Sequence, residues 1–468
     1  MWEPVIGLEI HAQLLTKSKM FCSCSTDYLN AKPNENTCEV CLGYPGTLPV
    51  INEQAVIFAV KAAKALNCEI HEISRFDRKQ YFYPDLPKGY QITQYFYPYA
   101  TNGFLELEGV RIRIRRIHME EDSGKLFHEN ENIDSASYSV VNFNRAGIPL
   151  IEIVTEPDIP DPKYARIFVE KLRDILRFIN VCDGNLENGS MRCDANISLR
   201  NTETGEFTSK VEVKNINSFK FIQNALEYEK ERLLSLVENG EKIDPETRGW
   251  DSSKKLTISL RSKEGENDYR YFPEPDLPML KIPDDIMNVE IEELPDQMIS
   301  RFVKEYKISE YNANVLVSDK MVAKYFEKCV SLFNNPVLIS NWIISEILRL
   351  KSSNEISLSP DNFTKLLSMV NDGKINNNTA KEILEEIYSK DLDPEDIIKK
   401  RGLSQINDTE ELEKLVLKVI QDNSKEYEAY KNGKTKLFGF FVGQVMKITK
   451  GRANPKTVNK ILRQKLDS

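Results

Sequence analysis

The segment Val5–Leu14, VIGLEIHAQL, alternates strictly enough to demand an extended strand. Ile6, Leu8, Ile10, Ala12 and Leu14 point one way, and Gly7, Glu9, His11 and Gln13 the other. A carboxylate, an imidazole and an amide therefore stand in a row about 7 Å apart on the face opposite a core. The pattern recurs in MRCDANISL, where Arg192, Asp194, Asn196 and Ser198 oppose Met191, Cys193, Ala195, Ile197 and Leu199, and in KVEVK around Val211 and Val213. Half-solvated antiparallel sheets alternate in the same way, so each polar row also reads as a solvent face. In IPLIEIVT every position but Glu152 is apolar until the closing threonine. An acid inside such a strand is costly unless it is paired or metal-bound, which singles out Glu152.

A further acid cluster, His118-Met119-Glu120-Glu121-Asp122, follows the strand pattern VRIRIRRI. Three successive acids repel one another unless a cation sits among them. Oxygen-rich ligand sets with one imidazole suit Mg²⁺ or Mn²⁺ better than Zn²⁺. A solvated acidic turn is the alternative. If the strand continues through HMEE, His118 and Glu120 share a face opposite Glu121, and either glutamate fits as a ligand. Positive partners for phosphate lie in RKQYFYPDLPKGYQITQY (Arg78, Lys79, Lys88) and in NFNRAG (Arg145), the first with Tyr81 and other aromatics interleaved. A packed Tyr-rich lid is the other reading of that loop.

Four of the eight cysteines cluster as C-x-C, thirteen residues, then C-x-x-C: Cys22, Cys24, Cys38 and Cys41. Four thiolates can close a tetrahedral zinc site, and the stretch between them has little apolar matter to order it otherwise. Several other machines are excluded. No P-loop is present, since Gly433-Lys434-Thr435 has Glu428 where the first glycine belongs, and no G-x-S-x-G elbow occurs.

At 468 residues the chain exceeds one hydrophobic core. It reads as α+β, strand-rich up to about residue 290 and helical thereafter. Ser359, Pro360 and Gly373 bracket a helix with Phe363, Leu366, Leu367 and Val370 on one face, and Leu412, Leu415, Val416, Val419 and Ile420 mark another. Lys390–Arg401 reads as a joint. The net charge of −9 is uneven: from Ala429 onward there are ten Lys or Arg and one acid. A basic tail on an acidic body fits an anionic polymer, or simply a solvated helical face. No apolar run reaches the ~18 residues of a membrane span, and the amino terminus lacks a targeting pattern, so the expected location is cytoplasmic, with no membrane partner.

GLEIHAQL, CEVCLGYPGTLPVIN, RKQYFYPDLPKGYQITQY, HMEEDSGKL, NFNRAGIPLIEIVTEPDI, GSMRCDANIS, EVKNINSF, DYRYFPEPDLP and the terminal GFFVGQVMKITKGRANPKTVNKIL together resemble the B subunits of the bacterial aspartyl/glutamyl-tRNA amidotransferases, in order along the chain. Tyr44 and Thr47 stand where that family more often has Met and Ala. The resemblance implies an antiparallel-sheet cradle similar to glutamine-synthetase-type kinases (1–292), a helical domain (293–405) and a small tail domain (406–468). It implies ATP-Mg²⁺ activation of Glu-tRNA(Gln) or Asp-tRNA(Asn), amidation with ammonia from an amidase partner (the A subunit), and a small C subunit completing a heterotrimer. A non-discriminating aminoacyl-tRNA synthetase is a further implied partner. Carried over residue by residue, Glu9, His11, Glu120 or Glu121, Glu152 and Asp194 are the implied catalytic metal ligands. Lys79, Tyr81, Lys88, Arg145 and Ser190 are the implied ATP and phosphate contacts. Cys22, Cys24, Cys38 and Cys41 are the implied zinc ligands. Lys447, Lys450, Arg452, Lys456, Lys460 and Arg463 are the implied tRNA contacts. The rival reading is a non-catalytic tRNA-docking scaffold of the same complex.

Overall fold

The computed structural model describes residues 1–128, 138–262, 269–351, 355–402, 409–449, 453 and 455–467. Two compact units divide between Leu294 and Pro295. The first holds a large, mostly antiparallel sheet with helices against it, and the described elements of the second are helical, so the chain as a whole is α+β.

The sheet is built around Trp2–Gln13. This strand pairs antiparallel with Pro149–Thr155 on one side and with Met191–Asn201 on the other. Outward from Pro149–Thr155 come Val110–Glu121, Tyr90–Thr93, Asp77–Gln80 and the short edge Phe272–Pro273. Outward from Met191–Asn201 come Val211–Ile216, Glu246–Asp251 and Leu256–Ser262, and the pairing of Val211–Ile216 with Glu246–Asp251 is parallel. Alternation assigns the faces. Ile6, Leu8, Ile10, Ile151, Ile153, Ala195, Ile197, Val211 and Val213 are buried in one core.

Three long helices, and Ile286 of the short helix Asp284–Met287, contribute to that core. Glu53–Ala65 starts on Asn52, whose side chain accepts from Ala55 N. Pro162–Phe178 starts on Asp161 with Pro162 in its first turn, and buries Phe168, Leu172, Ile175 and Leu176. Phe219–Glu238 is capped by Ser218 and buries Ile222, Leu226 and Leu233. Each such side chain contributes on the order of 1.5–3 kcal/mol by leaving water. With one face committed to this core, the residues of opposite phase are left on the other: Glu9, His11, Glu152, Arg192 and Asp194.

In the second unit, Pro360–Asn371 forms with Ser359 accepting from Asn362 N, and Phe363, Leu366 and Leu367 are buried. Lys390–Arg401, expected as a joint, is mostly a helix, Pro394–Arg401. Asp393 caps it, Glu395 and Asp396 occupy its first turn, and Lys399–Arg401 occupy its last, which matches the helix dipole at both ends. Leu412, Val416 and Val419 of Thr409–Asp422 join Phe441, Val445, Val458 and Leu462 in a core of their own.

Candidate active site on the open sheet face

Strand register sets four side chains in line. Arg192 is opposite His11, His11 is opposite Glu152, and Glu152 is opposite His118. Glu120 lies two residues beyond His118 on the same face. His11 Nε2 is 3.2 Å from Glu120 Oε1 and 3.5 Å from Glu152 Oε2. His118 Nε2 is 3.0 Å from Glu152 Oε2, while its buried Nδ1 has no hydrogen-bond partner among the described residues. One ligand atom each from His11, Glu120 and Glu152 falls within 4.8 Å of the others, a set that could hold one metal ion.

Burial opposes a charge on His11, but Glu152 and Glu120 outweigh it and hold its pKa well above the usual histidine value. Burial likewise disfavours the Glu152 carboxylate, and the two imidazoles overcome it, holding that group well below the ordinary range. The cluster thus keeps the Glu152 carboxylate ionised by placing two imidazoles against it, the same role a divalent cation would fill.

Glu9 and Asp194 face each other across the sheet, two residues before His11 and two after Arg192. They form a second group rather than joining the first. Glu9 Oε1 accepts from Asn196 Nδ2 at 2.9 Å, and Asp194 pairs with Lys214 at 2.8 Å, which also meets Glu212 at 3.0 Å. Burial disfavours the Lys214 charge, but the two acids hold its pKa above the usual lysine value.

Glu121 is not brought into either group. It follows Glu120 in an extended strand and so points to the other side, where it pairs with Lys88 and accepts from Ile92 N at 3.1 Å. Lys88 and Glu121 line a cavity of about 200 Å³ with Lys19, Tyr90 and Gly147. Lys79 lies with its ammonium 5.7 Å from the ring of Tyr81 and 4.8 Å from that of Tyr269. Burial, with Glu120 nearby, holds the Tyr81 phenol above its usual pKa. Arg145, expected to grip phosphate, donates to the carbonyls of Ser123 at 3.0 Å and Gly124 at 2.5 Å. Its turn needs Gly147 at φ +88°. Ser190 bonds Asp183 and, at 3.0 Å, the carbonyl of Asn185, just before its strand begins.

Sequence reasoning missed one assembly. Asp122, buried, accepts from Gln13 Nε2 at 2.9 Å, pairs with Arg192 and lies 3.6 Å from Arg145 Nε. Burial opposes its ionisation, but Arg192 and Arg145 hold its carboxyl below the usual range. The phases of Gln13 and Arg192 were legible; their meeting at Asp122 depends on pairing across strands and on the turn after Glu121.

The four cysteines of the early cluster do converge, with all Sγ atoms within 4.8 Å, and could hold a metal ion. The Cys22 thiol, with help from the Cys38 N–H and the Lys19 ammonium, brings Cys41 down to about 5 against the effect of burial. In the second unit, Lys447 is exposed on Leu437–Ile448, and Lys456, Lys460 and Arg463 are exposed on Pro455–Asp467, whose other face buries Val458 and Leu462. Lys450 and Arg452 lie outside the described residues.

A half-open sheet with a histidine–carboxylate centre on its free face and a thiol cluster beside it belongs to the class described as the GatB/GatE catalytic domain, whose family model matches residues 4–288. A second family model, the GatB domain, matches residues 324–466. The chain is 53% identical over 478 aligned positions to the aspartyl/glutamyl-tRNA(Asn/Gln) amidotransferase B subunit of Thermotoga maritima, covering all of this chain and 99% of that one. It is 52% identical to the protein of the same name from Thermodesulfovibrio yellowstonii, covering 98% of each chain. It is 50% identical to that from Carboxydothermus hydrogenoformans, covering 99% of each. The chain belongs to the family of aspartyl/glutamyl-tRNA(Asn/Gln) amidotransferase B subunits.

Proposed function

We propose that this chain activates the side-chain carboxylate of a mischarged Glu-tRNA(Gln) or Asp-tRNA(Asn) with ATP and then amidates it. The observation that carries this reading is the half-buried His11–Glu120–Glu152 cluster on the sheet face opposite the core, in a chain about half identical to B subunits along its whole length.

The chemistry follows from charge. A carboxylate repels a nucleophile and has oxide as its leaving group. Transfer of the γ-phosphoryl group to a carboxylate oxygen breaks the bond to ADP and forms an acyl phosphate. Ammonia then attacks the acyl carbon, phosphate leaves, and an amide remains. Phosphoryl transfer is mainly a matter of positioning and of offsetting charge. His11, Glu120 and Glu152 would hold a Mg²⁺ ion, and Glu9 with Asp194 would extend the acidic face towards a second one. Bound there, the ion would supply charge neutralisation to the triphosphate. Lys79 and Tyr81, beside this cluster, would meet the phosphates. Lys88 and Arg145 are already engaged by Glu121 and by the Ser123–Gly124 carbonyls, and so would act by shaping the pocket wall. Ser190 would set the turn that leads Arg192 and Asp194 into place. Glu121, on the far side, would act through Lys88.

The four cysteines would bind a structural zinc ion. Four thiolates around a dication leave net negative charge, and the fully buried Lys19, with Nζ 3.6 Å from Cys41 Sγ, is placed to offset it. In this reading 1–292 is the glutamine-synthetase-like cradle, 293–405 a helical domain and 406–468 a tail whose Lys447, Lys450, Arg452, Lys456, Lys460 and Arg463 contact tRNA. The amidase partner (the A subunit) supplies ammonia, and a small C subunit completes the trimer.

The test is ADP release by the reconstituted trimer with each mischarged tRNA, scored together with amide product. ADP formation should require the aminoacyl-tRNA and be abolished in Glu152→Gln. Undiminished, tRNA-dependent ADP release in that variant would remove the proposed centre and favour a docking scaffold.

A further inference from the structure

A chain of aromatic rings runs along one flank of the acidic cluster. Tyr81 meets Tyr269 edge-on at 6.1 Å, Tyr269 meets Tyr271 at 6.0 Å, Tyr271 stacks on Tyr95 at 4.0 Å with 12° between planes, and Tyr95 meets Phe96 at 5.0 Å. Cations sit against it at intervals. Lys79 lies over Tyr269, Arg116 lies 5.3 Å from the Tyr95 ring, and Arg75, which also pairs with the buried Asp77 at 3.0 Å, lies 5.8 Å from Phe96 and 4.7 Å from Tyr97. Two features are unusual for a structural patch. Tyr95, Phe96 and Tyr97 are 40%, 53% and 50% exposed, in a row. The buried Nε of Arg116 has no hydrogen-bond partner among the described residues. Arg116 is two residues from His118 and therefore shares its face, and the Glu152 carboxylate adds to burial in holding the Tyr271 phenol above its usual pKa. The ribbon thus begins at the proposed reaction centre and leads away from it.

We propose that this ribbon is a stacking platform for the single-stranded 3′ end of the aminoacyl-tRNA, with the terminal adenine on the Tyr95–Tyr271 pair, the preceding bases over Phe96 and Tyr97, and the phosphates beside Arg116 and Arg75. Interleaved rings and cations are the surface by which unpaired nucleotides are held without readout of base edges. The proposal rests on the amidotransferase reading for its choice of occupant. Both substrates of that reaction carry adenine, each at a similar reach from its reacting atom, but the extent of the row separates them. Three successive exposed rings, Tyr95, Phe96 and Tyr97, offer more stacking surface than one adenine covers, whereas a run of unpaired nucleotides occupies it base by base.

The experiment measures equilibrium binding of the complete complex to cognate tRNA and to the same tRNA trimmed of its terminal adenosine, with the KM for ATP as a separate arm. Tyr95→Leu should weaken binding of intact tRNA about tenfold, the scale of one lost stack. It should leave trimmed tRNA and the KM for ATP unchanged, and Tyr95→Phe should bind as wild type does. Phe96→Ser, at a half-exposed ring assigned to a preceding base, should weaken binding of intact and trimmed tRNA alike. Binding unchanged in both variants, or an equal loss with intact and trimmed tRNA for Tyr95→Leu, overturns the platform. A raised KM for ATP with intact tRNA binding reassigns the rings to the nucleotide and likewise overturns it. The binding arms require no turnover, so a wild-type complex that binds tRNA but releases no ADP refutes the kinase reading and leaves this one standing.

Discussion

Glu274→Gln is expected to destabilise the first unit sharply, because one buried acid locks the sheet edge that carries Tyr271. Glu274 is fully buried and holds Arg78 through two parallel bonds, 2.7 Å to Nε and 2.9 Å to an Nη. Glu274 also accepts from Asp276 N at 3.0 Å. The pair clamps Phe272–Pro273 onto Asp77–Gln80, where Phe272 is opposite Arg78. Removing one partner of a buried ion pair costs about 3–5 kcal/mol, since the other charge is left uncompensated. Arg78 keeps a second acid, Asp276, at 3.1 Å, and the ring of Tyr90 4.2 Å away, so the lower end, about 3 kcal/mol, applies. At about 2.1 cal/mol/K per residue, the unfolding entropy of a unit spanning Met1–Leu294 is about 0.6 kcal/mol/K, so the melting transition of the first unit should fall by about 5 °C. Calorimetry of the wild-type and variant chains reads this directly. A shift under about 1.5 °C, less than 1 kcal/mol on the same scale, would show that the edge is held by something other than this pair, and the link from Glu274 to the position of Tyr271 would fail with it.

A Cβ on Gly103 would press into Cys68 Sγ and lie 2.7 Å from the Leu66 carbonyl, so Gly103→Ala should cost about 1–3 kcal/mol by overpacking, read as a shifted denaturation midpoint. Cys38→Ser should lower the zinc content of the purified chain and make its melting insensitive to chelator, both measurable by metal analysis and melting with and without EDTA. Burial pushes the Cys68 and Cys182 thiols up to about 12. Both should therefore resist iodoacetamide at about pH 8 in the native chain and react once it is unfolded, as mapped by mass spectrometry. Replacing Lys447, Lys456, Lys460 and Arg463 by Gln should flatten the dependence of log tRNA affinity on log salt by about 3, if each meets one phosphate.

The faces of the candidate residues were legible because strands alternate with period two. Glu9 and His11 on Val5–Leu14, Asp194 on Met191–Asn201 and the lone acid Glu152 all announced their faces locally. The cysteines were legible from spacing alone. What aims these groups was not. Which of Glu120 and Glu121 shares the His118 face turns on whether Val110–Glu121 stays in phase to its end, and the pairing of Glu152 with His118 puts Glu120 there, although the register slips further back, between Val154 and Thr155. The split of the acids into two groups depends on Lys214, which arrives from another strand to claim Asp194. Arg145 had the right chemistry for phosphate, but its guanidinium is used to close the turn that presents Asp122 to Arg192. Tyr269 and Tyr271 are far along the chain from Tyr81 and Tyr95, and only the edge pairing of Phe272 with Arg78 brings them to the site. The faces of the candidate groups are thus written in local phase, while the partners that fix their charge and orientation come from register between distant strands. A substitution such as Glu274→Gln, remote from His11 and Glu152 in sequence, should therefore displace the Tyr271 edge without touching any proposed ligand.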